Sequence, residues 1–271
     1  MSAVRWRMAY VTGGSSGIGL AVAKKLVQSG THVVLLARRK EKLESAGEIL
    51  RAEGGGGKVY PVSLDVRDRE EVERVLGETF DIYGAPDLLI NSAGIAYPGY
   101  FEEIPYEKFR DIMDINVGGM WNVTRASVPL MKPGSWIVNV SSIAGFLGLF
   151  GYTAYSASKF AVVGFSESLR NELSGRGIGV SVLFPPDTKT PQLEEEEKTK
   201  PPETRAISGN AKALEPEYVA VALMRGIRRR RFFILPGFQG KLIYCAHRLW
   251  PGLIHKIIDG EVRKIEKRKS G

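Results

Sequence analysis

Seven short apolar runs recur along the chain with helical patterns between them, and this alternation constrains the fold more than any other feature. Ala9–Thr12, His32–Ala37, Val59–Leu64, Leu88–Asn91, Trp136–Ser141, Val180–Phe184 and Phe232–Leu235 are rich in β-branched or aromatic residues and nearly continuous in hydrophobicity. A strand covered on both faces needs that composition, because neither side meets water. Helical patterns near 17–29, 40–53, 68–83, 105–131, 155–174 and 216–229 separate the runs. Strand–helix alternation with right-handed crossovers predicts an α/β domain built on a doubly wound parallel sheet, Rossmann-type, seven strands, helices on both faces. That domain is expected over 1–240, with a loop at 185–215 serving a substrate. A basic, amphipathic helical extension is expected over 241–271. Within the domain, Gly54–Gly57 reads as a flexible turn and Pro185–Pro202 as a polar, Pro- and Glu-rich insertion.

Composition bounds what such a chain can do. Of 271 residues, 44% are hydrophobic and 25% charged, so core material is ample. A single cysteine, Cys245, excludes an internal disulfide and points to a reducing compartment, with the thiol expected to be packing. No signal-peptide layout is read at the start, and no uncharged apolar run nears the roughly 18 residues of a spanning helix. The expected location is the cytoplasm, or the cytoplasmic face of a membrane as a peripheral protein (the endoplasmic reticulum in a eukaryote). The formal charge of +8 is concentrated at one end: from Arg225 to Gly271 there are 13 Lys and Arg against 3 Asp and Glu. Leu242, Ala246, Leu249, Trp250, Leu253, Ile254 and Ile257 share one side at helical spacing, with Lys241, Arg248, His255 and Lys256 on the other and Arg263–Lys269 beyond. Pro251 must interrupt this helix, so two segments are expected. The pattern suits peripheral contact with an anionic membrane, and equally a helix packed on the protein's own core or in a dimer contact. Nucleic acid is not an expected partner, since no recognised binding fold accompanies Arg228–Arg231.

The first strand runs straight into Thr12-Gly13-Gly14-Ser15-Ser16-Gly17-Ile18-Gly19 and then into a helix. Phosphate binding needs backbone N–H donors and close approach, both of which glycine permits, and the helix N-terminus adds its positive end. The spacing departs from G-x-G-x-x-G, so the strand–turn–helix context carries the reading. Gly13, Ser15, Ser16, Gly17, Ile18 and Gly19 are the candidate cofactor residues here. The stretch also matches G-x-S-x-G with Ser15 as a hydrolase nucleophile. That reading fails because only fourteen residues precede Ser15, and the three histidines lie in an early strand or the basic tail. The second strand ends at Ala37-Arg38-Arg39, where an NAD site wants an acidic residue. Arg38, Arg39 and Lys42 instead suit the 2′-phosphate of NADP(H).

Together, Thr12–Gly19, Asn91-Ser92-Ala93-Gly94, Asn116, Ser142 and Tyr155-x-x-x-Lys159 resemble the short-chain dehydrogenase/reductase family over about residues 8–235. The resemblance implies an NADPH/NADP-dependent ketone reductase without a metal, assembled as a homo-oligomer (dimer or tetramer). Ser142, Tyr155, Lys159 and Asn116 take the catalytic roles. Reduction needs hydride at carbon and a proton at oxygen, and a free tyrosine with a pKa of about 10 is a weak acid for that task. A lysine one helical turn on is expected to draw that pKa down, while Ser142 holds the substrate oxygen. By the resemblance, Lys159 and Tyr155 also touch the nicotinamide ribose, and Asn116 anchors a proton-relay water through a local helix distortion. Asp65 and Val66 contact adenine; Asn91, Ala93 and Gly94 line the cofactor, though Asn91 reads equally as a bridge within the sheet. Ser92 replaces a more frequent asparagine. Pro185-Pro186 stands where most members carry Pro-Gly, and Thr188 and Thr190 are expected near the nicotinamide amide.

The run from Phe184 to Thr204 resembles that of the 3-ketodihydrosphingosine reductases, which use NADPH to make dihydrosphingosine in sphingolipid biosynthesis. That implies a lipid-like ketone with a long chain and a nearby ammonium. Phe146, Leu147, Leu149 and Phe150 either line an apolar channel or pack the core. Glu194–Glu197 is either a solvated face or a partner for the ammonium. A 3-oxoacyl, steroid or other lipid ketone reductase is the alternative within the family. A non-catalytic NADPH-binding sensor is the alternative outside it, opposed by the intact Ser142, Tyr155, Lys159 and Asn116.

Overall fold

A computed structural model of the chain describes residues 6–208 and 212–270. Its first half alternates strictly: β1 (Met8–Thr12), α1 (Gly17–Gln28), β2 (His32–Ala37), α2 (Lys40–Ala52), β3 (Val59–Ser63), α3 (Arg69–Tyr83) and β4 (Leu88–Asn91). The second half continues with α4 (Tyr106–Met113), α5 (Met120–Ser127), β5 (Trp136–Val140), α6 (Thr153–Ser174) and β6 (Gly179–Leu183). Then come α7 (Pro191–Glu196), α8 (Pro202–Ser208), α9 (Pro216–Arg228), β7 (Phe233–Ile234), α10 (Phe238–Leu249) and α11 (Pro251–Ser270). All seven strands are parallel in the order β3-β2-β1-β4-β5-β6-β7. The winding reverses between β1 and β4, so a crevice opens beyond the carboxyl ends of those two strands.

The pleat explains why the strands are apolar on both faces. In β1, Ala9 and Val11 join a core with Leu26 of α1, Leu43 of α2 and Leu223 of α9. Met8 and Tyr10 point the other way, against Val72 and Leu76 of α3, Val123 of α5 and Leu173 of α6. Each face is closed by helices, as the sequence pattern requires. The seventh strand is only two residues long, against the four expected.

Two segments and one residue depart from the sequence reading. The single helix expected over 105–131 is α4, a π-helical turn at Asp114–Gly119, and α5. The insertion read as merely polar folds into α7 and α8. Thr190 caps α7 by accepting from the Leu193 amide at 3.3 Å, and Pro191 fits the first helical position. Cys245 is exposed on α10, and the packing of that helix is done by its neighbours instead.

The tail does form two helices broken at Pro251, and the boundary expected at Gly240 falls inside α10. Tyr244 packs α10 against Phe146 and Phe233, with ring centres 5.1 and 5.8 Å apart, and α11 lies against α8. Phe238, Leu242, Leu249, Trp250, Leu253 and Ile257 remain exposed. The side chains of Arg268 and Lys269, part of the expected basic run, lie outside the described residues. No helix among the described residues is long and apolar enough to cross a membrane.

Candidate active site

A cavity of about 530 Å³ lies beyond the carboxyl ends of β1, β4, β5 and β6. Its floor is the glycine turn. Gly13 and Gly17 have φ of +64° and +54°, and a Cβ on Gly19 would stand 2.4 Å from the Gly13 carbonyl oxygen. Side chains are therefore excluded where the backbone must turn tightly and stay open. Ser16 caps α1 without a side-chain hydrogen bond, and the first turn carries no acidic residue, so the helix end stays polarised for an anion. Gly13, Ser16, Gly17 and Ile18 line the cavity; Ser15 and Gly19 support the turn from outside it. The Thr12 hydroxyl accepts from the amides of Ser92 and Ala93, both at 3.0 Å, and so fixes the β4 loop against β1.

At the adenosine end expected from the sequence, Arg39 and Lys42 reach the cavity wall. Arg38 points toward Asp65 instead, at 3.8 Å. Asp65 is itself gripped by Arg67, with Nη2 at 2.7 Å, and that guanidinium holds the carboxyl below its usual range. Val66 is pinned from behind, since its carbonyl accepts from Asn122 at 3.0 Å. Neither Asp65 nor Val66 lines the cavity. Asn91 donates to Thr124 at 2.9 Å and Asn139 at 2.8 Å, the bridge within the sheet that was one of its two readings. Ala93 and Gly94 do face the cavity, as do Thr188 and Thr190 on the opposite side.

Ser142, Tyr155 and Lys159 converge at the other end. Ser142 follows β5 and accepts from the Ala144 amide at 3.2 Å, which fixes its rotamer. Tyr155 and Lys159 sit one turn apart on α6, with the Lys159 Nζ 5.5 Å from the centre of the Tyr155 ring and donating to the Val140 carbonyl at 3.0 Å. Asn116 lies in the π turn, the helix distortion the resemblance implied. Its side chain accepts from the Ile95 amide at 2.9 Å and donates to the Ile95 carbonyl at 3.0 Å and to Ser158 at 2.9 Å.

A profile described as short chain dehydrogenase matches residues 7–201. The chain belongs to that family. It is 40% identical over 238 residues to a 3-ketodihydrosphingosine reductase of Mus musculus, covering 86% of this chain and 72% of that one. Among solved structures, a short-chain dehydrogenase of Sphingobium yanoikuyae in complex with NADPH superposes with a TM-score of 0.76 at 26% identity, covering 92% of this chain and 94% of that one. A family member of Burkholderia phymatum in complex with NAD gives a TM-score of 0.76 at 28% identity, covering 87% and 90%.

Electrostatics in this short-chain dehydrogenase differ from the sequence expectation in one respect. Burial pushes the Tyr155 hydroxyl above its ordinary value, the Glu196 carboxylate adds to this, and Ser142 and Gln192 pull only partly back. Lys159, whose Nζ donates to the Val140 carbonyl, does not reverse this rise. Lys159 itself is brought down from 10.5 to about 8 by burial, partly opposed by Glu196. The site thus holds a protonated phenol, made a weaker acid by its surroundings, beside an ammonium that titrates close to neutrality.

Sequence reasoning missed Tyr152, Gln192 and the particular role of Glu196, all of which line the cavity. Only the acidic run itself pointed toward Glu196. Of the four apolar residues after Ser142, Leu149 lines the cavity, whereas Phe146 packs on Phe184 and Phe150 on Tyr100. Donation by Tyr155 leaves a tyrosinate that the Lys159 charge stabilises. With a non-ionisable ketone, kcat/KM for reduction is therefore expected to fall as pH rises through about 8. A profile flat to pH 10 would overturn this assignment to Lys159.

Proposed function

We propose that the chain is an NADPH-dependent reductase that converts 3-ketodihydrosphingosine to dihydrosphingosine. The observation that carries this reading is one cavity with Ser142, Tyr155 and Lys159 at one end and Arg39 and Lys42 at the other. The substrate class is supported by the likeness to the mouse reductase.

The residues fit a dinucleotide. Glycines with positive φ leave room for a pyrophosphate at the start of α1, and Arg39 and Lys42 offer cations where Arg38, Arg39 and Lys40 directly follow β2. Asp65, which lies outside the cavity, is paired with Arg67 at 2.7 Å. When bound, the reduced nicotinamide supplies the hydride for the carbonyl carbon. Ser142 holds the carbonyl oxygen, and Tyr155 passes its proton to that oxygen as negative charge develops there. Lys159 supports the phenolate that remains, and Asn116 holds the β4 loop to α6 so that the group keeps its geometry. The exposed apolar side chains of α10 and α11, within a segment of strong positive charge, support peripheral contact with an anionic membrane from which a lipid ketone is drawn.

Three outcomes are expected. NADPH oxidation with 3-ketodihydrosphingosine proceeds faster than with acetoacetyl thioesters or steroid ketones, and Tyr155→Phe lowers it about 10²–10⁴-fold while NADPH binding persists. Equal turnover of all three ketones would refute the substrate. Arg39→Asp raises the Kd for NADPH by roughly 10–100-fold with little change for NADH, as expected for one lost charge-assisted contact; an unchanged NADPH/NADH ratio would place phosphate recognition elsewhere. The full chain co-sediments with anionic liposomes at low salt and is released by high salt, and failure to sediment would make the tail a packing element.

A further inference from the structure

We propose that Glu196 is the substrate's counter-ion, a carboxylate set beside the catalytic tyrosine to receive a primary ammonium one carbon from the reacting carbonyl. This rests on the sphingoid-ketone reading above and assigns its specificity to one residue.

Glu196 ends α7 and is 8% exposed, whereas Glu194, Glu195 and Glu197 of the same run are in solvent. Its two oxygens are held apart by different donors: Tyr152 Oη donates to Oε2 at 2.6 Å and Gln192 Nε2 to Oε1 at 2.8 Å. Both donors also line the cavity. No Lys or Arg among the described residues forms an ion pair with it. Of the cations whose charge reaches it, Lys200 is paired with Glu197 at 2.6 Å, and the Lys159 Nζ donates to the Val140 carbonyl.

A buried carboxylate with no cation in direct contact costs several kcal/mol, and hydrogen bonds offset that only in part. Its position makes the arrangement costlier still. Tyr152, which donates to Glu196, has its ring centre 5.7 Å from that of Tyr155, and all three side chains line the one cavity, so the carboxylate's field reaches the proton donor. A negative charge there opposes formation of the tyrosinate that proton transfer leaves behind, and Asp187 adds to the same sign. A neutral ketone would leave that opposition in place. An α-amino ketone removes it, because the ammonium beside the carbonyl falls between Tyr155 and Glu196 and cancels the field at the moment the proton moves. The amine is then read in the transition state as well as in binding, which is how discrimination reaches kcat.

The test compares 3-ketodihydrosphingosine with its des-amino analogue of the same chain length, in wild type and in Glu196→Gln. The wild type is expected to favour the amino ketone by at least tenfold in kcat/KM. Glu196→Gln should lower kcat/KM for the amino ketone about 10–100-fold more than for the des-amino ketone, part of it in kcat. Tyr152→Phe, which keeps the carboxylate but frees one oxygen, should lose less of the preference. NADPH binding followed by fluorescence establishes that each variant is folded. Equal losses on both ketones would reduce Glu196 to a structural joint and overturn the proposal. Wild type that turns over the sphingoid ketone without preferring the amine overturns it alone, leaving the substrate reading intact. Wild type that turns over neither ketone overturns both.

Discussion

The side-chain amide of Asn116 closes a joint on which the site's geometry depends. It satisfies both backbone groups of Ile95, on the loop after β4, and donates to Ser158 on α6, whose hydroxyl in turn bonds the Tyr155 carbonyl at 2.7 Å. One side chain thereby connects the glycine-lined crevice to the helix that carries Tyr155 and Lys159. An uninterrupted α-helix would turn this residue away, and the π turn at Asp114–Gly119 supplies the extra residue that aims it inward. Gly94 is the matching half of the joint. A Cβ there would stand 3.2 Å from the Asn116 Oδ1 and 3.4 Å from the Lys159 Nζ, so the loop can approach both only as glycine.

Around that joint the site concentrates three titratable groups in low dielectric: Tyr155, Lys159 and Glu196. Burial raises the first, lowers the second and raises the third, so each is pushed toward its neutral form. Their mutual fields then decide what chemistry is available. Glu196 steadies the ammonium of Lys159 and resists ionisation of Tyr155, so proton donation from the phenol calls for a compensating positive charge beside it. A cofactor or substrate that brings charge into the cavity shifts this balance more than any exposed group could, since exposed pairs such as Arg74–Glu78 are screened by water.

Much of this was legible in the sequence, and the exceptions have physical causes. Parallel strands buried on both faces announce themselves by continuous hydrophobicity, so β1 to β6 lay where the runs placed them. Strand β7 shrank because only Val182 and Leu183 offer it a ladder. The π turn leaves the 3.6-residue periodicity nearly unchanged, and only the resemblance at Asn116 pointed to it. Helices α7 and α8 were hidden because Pro, Glu and Lys dominate their composition. Their burial comes from pairs formed across the fold, Tyr152 with Glu196 and Tyr100 with Glu203, which no local window contains. The direction of the Tyr155 shift was missed for the same reason: spacing places Lys159 on the right face of α6 but cannot show that its Nζ turns to Val140.

The acidic run shows most clearly how one local pattern can hold two functions. Four consecutive glutamates look equivalent as sequence, and on an exposed helix they would be. Here α7 starts at a fixed point, because Thr190 caps it and its methyl lies 3.0 Å from where a Cβ on Gly17 would sit. That contact locks the rotation of the helix to the glycine turn. With the first residue fixed, the helical period buries the sixth, Glu196, against Tyr152, while Glu194, Glu195 and Glu197 stay exposed. A one-residue insertion between Thr190 and Glu196 would move a different glutamate inward by about 100° of rotation and point this one at solvent. The register set at the glycine turn therefore also sets which charge stands beside Tyr155.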